Sequence, residues 1–297
     1  MNIRELIKKG VETISVAFPE REAREMVLLY LEDAHGIKRL THILEPDTEV
    51  EDDAVGQALE AFARMASGEP IQYIIGKAHF YGREFNVSPS VLIPRPETEV
   101  LCREVINHHG RMRPVCRNPK VLDMCTGSGC IAWTLALELP EAQVKAVDIS
   151  DGALTVAGSQ DFSQEMAQTG ACAPEFMKAD VLGDVPDGIS SSSYDILVSN
   201  PPYVMDSEKA LMRTNVLDHE PHLALFVPDS DPLLFYRAVA HWASRILVPG
   251  GYGIVEINEA LGQQTAEVFR KSGFVGVEIV SDLNDRDRFV KFMRKFV

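Results

Sequence analysis

The stretch VLDMCTGSGCIA, residues 121 to 132, is the strongest indication of the fold. An apolar run typical of a buried strand passes into a glycine-containing turn and then into the start of a helix. Gly127 and Gly129 let the backbone of this turn approach a ligand closely. Cys125 occupies the first position of G-x-G-x-x-G and no third glycine follows, so a dinucleotide site has little support. The missing G-K-[ST] excludes a P-loop. The turn therefore predicts a nucleotide or nucleoside ligand.

Outward from this turn, short apolar runs alternate with helical segments from Lys120 onwards. The predicted strands are KVLDMC, QVKAVDI, EFMKAD, YDILVSN, GYGIVEI, VGVEIVS and RFVKFMR. Predicted helices between them include GCIAWTLALEL, DPLLFYRAVAHWASRIL and GQQTAEVFRKSG. This alternation is typical of βαβ units, so the sequence predicts an α/β fold with a largely parallel sheet.

Two of these strands end in aspartate. Asp148 ends the second strand, where a carboxylate can accept both hydroxyls of a ribose, and Asp180 ends the third, where it can face an adenine amino group. A single aspartate of this kind is more often a helix N-cap, but three successive polar strand ends favour a ligand crevice. A ribose carboxylate without a phosphate cradle fits a cofactor that contains adenosine but no phosphate. S-adenosylmethionine is such a molecule.

The fourth predicted strand ends in SNPPY, residues 199 to 203, beside the same crevice. Asn200 can accept a hydrogen bond through its side-chain oxygen, and the Pro201 carbonyl, held by the fixed φ of the prolines, can accept another. Two acceptors on one NH₂ group hold it and aim its lone pair at a methyl donor. Tyr203 offers a flat face to a planar acceptor group. The alternative interpretation gives this motif no function: the prolines would simply end the strand and begin a turn.

The segments before residue 96 have a different pattern. Apolar residues recur at helical spacing in the first part of the chain, which predicts a small helical bundle over residues 1–75. Residues 76–95 alternate around YGR and are expected to form a hairpin linker, and residues 96–297 the α/β domain. The sequence IPRPETE, residues 93 to 99, places Arg95 between two prolines and Glu97 near a helix start.

The charge balance argues against some partners. Lys and Arg number 29 and Asp and Glu 44, which gives a net charge of −15 and disfavours a broad footprint on nucleic acid or an anionic membrane. The amphipathic first helix lacks the apolar core and cleavage site of a signal peptide, and no stretch is long and apolar enough to span a bilayer. The sequence therefore predicts a cytoplasmic protein that binds neither nucleic acid nor membrane directly.

The five cysteines are expected to be reduced thiols. Their number is odd and no C-x-x-C spacing occurs, so neither a disulfide framework nor a zinc site is indicated, and no other ligand cluster predicts a metal. Cys125 lies in the glycine-containing turn, where a small apolar loop residue is the favoured interpretation over a nucleophile.

Several motifs together resemble one enzyme family. DMCTGSGCIA, VDIS, SNPPYV and HEP, preceded by GEPIQYIIG and LIPRPETE, are similar to the protein glutamine N5-methyltransferases that modify the Gly-Gly-Gln motif of peptide chain release factors, the HemK or PrmC family. The resemblance covers nearly the whole chain. It implies a seven-stranded, Rossmann-like class I methyltransferase sheet with an antiparallel last strand, and a helical N-terminal domain that helps to hold the release factor. It also implies S-adenosylmethionine as the cofactor.

The resemblance also assigns roles to residues of this chain. It implies that Asn200, Pro201, Pro202 and Tyr203 are catalytic and seat the glutamine, with Asn200 also beside the cofactor, and that Arg95 and Glu97 lie beside the substrate. The implied cofactor residues are Cys125, Thr126, Gly127, Ser128, Gly129, Asp148, Asp180 and Val181. Cys125 departs from many members, which carry glycine there, and Val181 replaces an aromatic residue of some relatives, so weaker adenine stacking is expected.

Three alternatives to release-factor methylation remain open. DMCTGSGCIA also matches the enzymes that methylate a glutamine of ribosomal protein L3, although RPETE follows the release-factor type. N-P-P-Y is shared with enzymes that methylate amino groups of DNA or RNA bases, which would require base flipping and phosphate contacts. A non-catalytic cofactor-binding protein is the third alternative, and the intact Asn200 argues against it.

Overall fold

The computed structural model describes residues 1–112, 117–189, 191, 193–282 and 285–296. The chain forms two compact units. The first contains Met1–Lys77 and Met212–His219, and the second contains Ala78–Leu211 and Glu220–Val297. Cys116, predicted to be a reduced thiol, lies outside the described residues.

The first unit is a bundle of helices around its own apolar core. Its helices are α1 (Ile3–Ile14), α2 (Glu20–His35), α3 (Thr41–Leu44), α4 (Asp52–Ala66), α5 (Ile71–Ile75) and α10 (Thr214–Leu217). Helically spaced apolar side chains meet in the centre, and the fully buried ones include Leu6, Ile14, Leu31, Phe62 and Met65. The predicted helical bundle is confirmed.

A close approach of helices explains one glycine of this unit. A Cβ atom on Gly10 of α1 would lie 2.7 Å from the Phe62 ring of α4 and 2.8 Å from Val27 of α2. Gly10 therefore lets the three helices pack at a distance that any side chain would prevent. The start of α1 is set by a capping box, in which Asn2 and Glu5 each accept a hydrogen bond from the other's backbone N–H.

The second unit is built on a seven-stranded sheet. Its strands, with the short pairs that accompany the sheet, are β1 (Lys77–Phe80), β2 (Arg83–Asn86), β3 (Lys120–Met124), β4 (Gln143–Asp148), β5 (Glu175–Lys178), β6 (Tyr194–Ser199), β7 (Val204–Met205), β8 (Phe226–Val227), β9 (Leu247–Glu256), β10 (Val275–Ser281) and β11 (Asp287–Met293). The order across the sheet is β10-β11-β9-β6-β3-β4-β5. Strands β5, β4, β3, β6 and β9 run parallel to one another, whereas β11 is antiparallel to both β9 and β10. The predicted α/β class and the implied antiparallel last strand are confirmed.

Helices cover both faces of this sheet. They are α6 (Thr98–Met112), α7 (Cys130–Glu138), α8 (Asp151–Gly158), α9 (Ser163–Thr169), α11 (His222–Leu225), α12 (Leu234–Ile246) and α13 (Gly262–Lys271). Successive residues of a strand point to opposite faces, so Val121 of β3 joins the apolar cluster that contains α6 and α7, and Leu122 joins the one that contains α12 and α13. Burial on both faces explains why the central strands read as continuous apolar runs.

The hairpin before α6 has a two-residue turn. Tyr81 and Gly82 connect β1 to β2 with φ values of 51° and 74°. Two consecutive positive φ angles define a type I′ turn, which matches the twist of paired strands. The inward side chains of the two strands, Phe80 and Phe85, are buried in the core of the second unit.

One strand boundary differs from the sequence prediction. The predicted helix DPLLFYRAVAHWASRIL includes Leu247, and the predicted strand begins at Gly251. In the structure α12 ends at Ile246, and β9 already begins at Leu247, which pairs with Tyr194. The register of β9 against β6 shifts after this pair. Val248, Pro249 and Gly250, which lie between the two predicted elements, belong to β9, and the strand accommodates them near an irregularity in its pairing with β6.

The structure also bears on the predicted free thiols and on membrane-spanning segments. Cys102, Cys125, Cys130 and Cys172 carry free thiols in the part of the chain that the structure describes. None of the described helices combines the length and hydropathy that crossing a membrane requires.

Candidate active site

The candidate site lies where the parallel strands β3, β4, β5 and β6 end. Their carboxyl ends meet at one edge of the sheet, which is the usual ligand crevice of open α/β folds. A cavity of about 200 Å³ is found there. Predicted site residues that line it are Arg95, Cys125, Thr126, Gly127, Ser128, Asp148, Asp180, Val181, Asn200 and Pro202. Glu97, Gly129, Pro201 and Tyr203 are not among its lining residues.

The glycine-containing turn between β3 and α7 has an unusual backbone. Cys125, Gly127 and Gly129 have φ values of 61°, 56° and 79°, a region that favours glycine. A Cβ atom on Gly127 would point into open space, whereas one on Gly129 would lie 3.0 Å from Cβ of Ala157 in α8. Gly127 therefore borders open space at the cavity, and Gly129 lets the turn pack against the next helix.

The backbone of this turn is also tied to the strands below it. The Thr126 N–H donates to the Val147 carbonyl at 3.1 Å, and its hydroxyl donates to Oδ2 of Asp123 at 2.6 Å. Asp123 is fully buried in β3, and burial raises the pKa of its carboxyl from 3.8 to about 7. The turn is therefore held from beneath while its upper surface faces the cavity.

Asp148 joins the end of β4 to this turn. Its Oδ2 accepts a hydrogen bond from the Gly127 N–H and its Oδ1 one from the Ser150 N–H, both at 2.9 Å. Burial raises the pKa of Asp148, and the hydrogen bonds from backbone N–H groups oppose that shift. Each carboxylate oxygen has further lone pairs, so Asp148 can accept ligand hydroxyls while the backbone holds it in place.

The far side of the cavity is formed at the end of β5. Asp180 is exposed, and its Oδ1 accepts a hydrogen bond from the Leu182 N–H at 2.9 Å. Val181 is buried and lines the cavity with other apolar side chains. These include Leu92, Ile149, Leu182, Leu223 and Phe235. A flat aromatic ring edged by one carboxylate fits such walls.

These residues fit S-adenosylmethionine. Ser128 is 2% exposed, lines the cavity, and its Oγ has no hydrogen-bond partner among the described residues. The charged residues that line the cavity are Arg95, Asp148 and Asp180, and the guanidinium of Arg95 is already paired with Glu220. The polar side chains at the cavity therefore offer carboxylate acceptors and one hydroxyl without a partner, which suit a cationic nucleoside, and the lining cation Arg95 is already paired with Glu220.

Asn200 follows β6 directly and faces the cavity. Its Nδ2 donates to the Thr98 hydroxyl at 3.3 Å. This bond leaves Oδ1 free to accept from a ligand. Pro201 and Pro202 are both buried, so the peptide that carries the Pro201 carbonyl is held by packing as well as by ring closure.

Tyr203 is held by hydrogen bonds through both its side chain and its backbone. Its hydroxyl donates to Oε1 of Glu256 at 2.9 Å, and its carbonyl accepts from Nδ2 of Asn258 at 3.2 Å. Burial next to Glu256 raises the pKa of Tyr203 well above its usual value, so the phenol is neutral. The hydroxyl is used inside the protein, and the ring packs against the apolar cluster that contains α12 and α13.

Arg95 and Glu97 hold different positions. The Arg95 guanidinium donates to Oε1 of Glu220 at 2.5 Å, and the Ile93 N–H donates to Oε2 of the same carboxylate at 3.1 Å. Glu220 is buried and thus fixes the proline-rich segment at the cavity rim. Glu97 lies outside the cavity lining, immediately before α6.

Sequence reasoning missed Thr98, Glu256 and Asn258. All three are buried, and they hold Asn200 and Tyr203 through hydrogen bonds. A signal existed for two of them, because the sequence EIN places Glu256 and Asn258 at the end of the next parallel strand, β9. The rule that selected Asp148 and Asn200 would have selected these residues as well.

Neither metal binding nor a cysteine nucleophile has geometric support here. Among the described residues, no group of three or more His, Cys, Asp or Glu side chains could hold a metal ion. Burial and the nearby aspartates raise the pKa of the Cys125 thiol well above its usual value. The thiol is therefore protonated at neutral pH and unsuited to nucleophilic attack.

Comparison with known proteins shows similarity over nearly the whole chain. Residues 5–76 match the family described as PrmC N-terminal domain, and residues 101–223 match the methyltransferase small domain. A release factor glutamine methyltransferase of Flavobacterium psychrophilum is 38% identical, over 98% of this chain and 99% of that protein. The enzyme of the same name from Bacteroides thetaiotaomicron is 39% identical, over 94% of this chain and 95% of that protein.

A solved structure is also similar. It is a release-factor-specific protein-(glutamine-N5) methyltransferase from Alicyclobacillus acidocaldarius, which is 30% identical to this chain. The match covers 71% of this chain and 99% of the solved one, with a TM-score of 0.40.

Proposed function

Because the chain belongs to the family of release factor glutamine methyltransferases, we propose that it methylates the glutamine of the Gly-Gly-Gln motif in a peptide chain release factor. The methyl group goes from S-adenosylmethionine to the side-chain amide nitrogen, N5. The observation that carries this proposal is the orientation of Asn200, whose Nδ2 is bound by Thr98 and whose Oδ1 remains available at the cavity.

The cofactor residues of the proposal are those that line the cavity. Asp148 would accept the ribose hydroxyls, and Asp180 and Val181 would border the adenine. The turn of residues 125–129 would enclose the methionine part, with Ser128 Oγ as a free polar group. When bound there, S-adenosylmethionine supplies an electrophilic methyl group on a positively charged sulfur.

The chain's own contribution is to position a poor nucleophile. The lone pair of an amide nitrogen is delocalised, so the nitrogen attacks slowly unless it is held in line with the methyl group. Asn200 Oδ1 and the Pro201 carbonyl would accept the two N–H bonds of the glutamine amide. Positioning of this kind can contribute roughly 7–11 kcal/mol to lowering the barrier. The ring of Tyr203 would pack against the planar amide.

Proton transfer places few demands on the site. The nitrogen loses its proton only after methyl transfer has made it cationic, when the proton is acidic. That acidic proton can pass to water. The site therefore needs no strong base before the methyl group moves, which agrees with the neutral Cys125 and Tyr203 side chains.

The test is a methyl-transfer assay with isotope-labelled S-adenosylmethionine. Purified release factor, ribosomal protein L3 and duplex DNA are offered in parallel, and labelled peptides are identified by mass spectrometry. We expect label on the glutamine of a Gly-Gly-Gln peptide. If L3 or DNA were labelled and the release factor were not, the proposed positioning of an NH₂ group would stand, but the proposed substrate would be wrong. The cytoplasmic location and the lack of nucleic acid or membrane partners stay predictions of the same proposal.

A further inference from the structure

We propose that Thr98 and Glu256 are positioning residues that fix the rotation of the Asn200 amide, so that its oxygen and not its nitrogen faces the substrate. The inference rests on the proposed function and adds two residues outside the N-P-P-Y sequence. It depends on a chain of three hydrogen bonds that joins Tyr203, Glu256, Thr98 and Asn200.

The first link is the carboxylate of Glu256. Its Oε1 accepts from the Tyr203 hydroxyl at 2.9 Å and its Oε2 from the Thr98 hydroxyl at 2.7 Å. Glu256 is 1% exposed, so few other donors compete for these oxygens. An ionised carboxylate only accepts hydrogen bonds. Burial raises the pKa of Glu256, while the two hydroxyls and the nearby positive charge of Arg288 favour the ionised form.

The second link is the single hydrogen of the Thr98 hydroxyl. This hydrogen is given to Glu256, so towards Asn200 the Thr98 oxygen can only accept. The atom of the Asn200 amide that lies 3.3 Å from it must therefore be the nitrogen, Nδ2. The arrangement of the network thus determines which way the amide is rotated, a choice that electron density alone rarely makes.

The consequence for the substrate follows from donor and acceptor counts. A glutamine amide nitrogen presents two N–H donors, which need acceptors. With Oδ1 towards the cavity, Asn200 provides one. If the amide were rotated by 180°, the NH₂ group of Asn200 would face the NH₂ group of glutamine, and neither could accept. The carboxylate of Glu256, acting through Thr98, prevents that rotation.

The decisive variants are Thr98→Val and Thr98→Ser. Valine has nearly the shape of threonine without the hydroxyl, and serine keeps the hydroxyl without the methyl group. We expect Thr98→Val to lower kcat by about a hundredfold, the scale of a misplaced reacting group. KM for the release factor and the cofactor dissociation constant should change less than about threefold. Thr98→Ser should recover most of kcat.

Glu256→Gln tests the same proposal from the other end of the chain. Glutamine has the size of glutamate, but its NH₂ group can donate to Thr98, which then turns its hydrogen towards Asn200 and favours the reversed amide. A loss of kcat comparable to that of Thr98→Val is expected. Calorimetric binding of S-adenosylmethionine and the melting temperature of each variant show whether the second unit is still folded.

The outcomes separate the two proposals. A wild-type protein that labels no glutamine would overturn the proposed function and the positioning role with it. An active wild type with Thr98→Val and Glu256→Gln equally active would overturn the positioning role alone. The same holds if Thr98→Ser is as inactive as Thr98→Val, because a lost hydroxyl would then not be the cause.

Discussion

Asn200 has its amide nitrogen held by Thr98, which leaves one polar side-chain atom, Oδ1, for the substrate. Removing this atom should affect the reaction and spare the cofactor, because the cofactor contacts proposed for Asp148 and residues 125–129 are made elsewhere. The proposal thus assigns Asn200 to the glutamine, and Asp148 and residues 125–129 to S-adenosylmethionine.

Asn200→Ala is expected to abolish most methyl transfer while the cofactor dissociation constant stays within about threefold of the wild-type value. The measurement combines the labelled-methyl assay with isothermal titration of S-adenosylmethionine. Asn107→Ala, the same change at an exposed position on α6, is the matched control and should leave both values unchanged. Equal losses of activity and cofactor affinity would contradict the role assigned to Asn200.

Asp148→Ala should have the opposite effect. It removes a carboxylate that accepts from Gly127 and Ser150 and that would accept ribose hydroxyls, so cofactor binding should weaken by about 1–3 kcal/mol. Isothermal titration measures this directly. Asp184→Ala, at an exposed position outside the cavity lining, is the control. An unchanged dissociation constant would remove Asp148 from the cofactor site.

Asp123 predicts a pH dependence of stability. Burial raises its pKa from 3.8 to about 7, so the folded protein holds this proton more tightly than the unfolded chain does. Between these values the folded state binds more protons, and the contribution of Asp123 to stability falls as pH rises from about 4 to 7. Asp123→Asn stays neutral throughout. Its free energy of unfolding, measured by urea unfolding, should therefore rise relative to the wild-type value as pH goes from about 4 to 7. Parallel curves would refute the shift.

In the turn between β3 and α7, packing and the proposed cofactor binding depend on different glycines. Its two glycines share positive φ angles but differ in surroundings, since a Cβ atom would meet open space at Gly127 and Ala157 at Gly129. The same substitution at the two positions therefore has different physical consequences. Each glycine is the control for the other, because Gly127 and Gly129 lie in the same turn and both have a positive φ angle.

Gly127→Ala should cost about 1–2 kcal/mol of stability from the left-handed backbone alone and should also weaken cofactor binding, because the added methyl occupies the ligand space. Gly129→Ala should destabilise the fold further, because its methyl would press on α8 at 3.0 Å. Urea unfolding and isothermal titration measure the two effects. A larger loss of stability for Gly127→Ala than for Gly129→Ala would contradict this assignment.

Much of the sheet could be predicted because its strands are short apolar runs bounded by turn signals. The glycine-containing turn, Asp148 and Asn200 lie within local motifs, so sequence spacing could find them. Thr98 and Glu256 could not be paired from sequence, since they are far apart in the chain and meet only because α6 and β9 adopt particular places in the fold. The irregular start of β9 was missed because proline and glycine locally resemble a loop.

For the whole molecule, the two units have separate apolar cores. The predicted domain bounds, 1–75, 76–95 and 96–297, and a role of the helical unit in holding the release factor remain predictions. They imply that an intact release factor offers more contact surface than an isolated Gly-Gly-Gln peptide. KM for the intact protein should then be at least about tenfold lower, about 1.4 kcal/mol, at similar kcat. Equal KM values for the intact release factor and the peptide would mean that the enzyme recognises only the Gly-Gly-Gln segment.

Asn200 and Pro201 are proposed to receive the glutamine amide at the edge of the cofactor cavity. The most direct measurement is a crystal structure of the protein with S-adenosylhomocysteine, the demethylated cofactor, and a Gly-Gly-Gln peptide. We expect the glutamine amide nitrogen within about 3.2 Å of both Asn200 Oδ1 and the Pro201 carbonyl oxygen, with Thr98 on the other side of the Asn200 amide. A glutamine seated elsewhere, or one that faces Asn200 Nδ2, would contradict it.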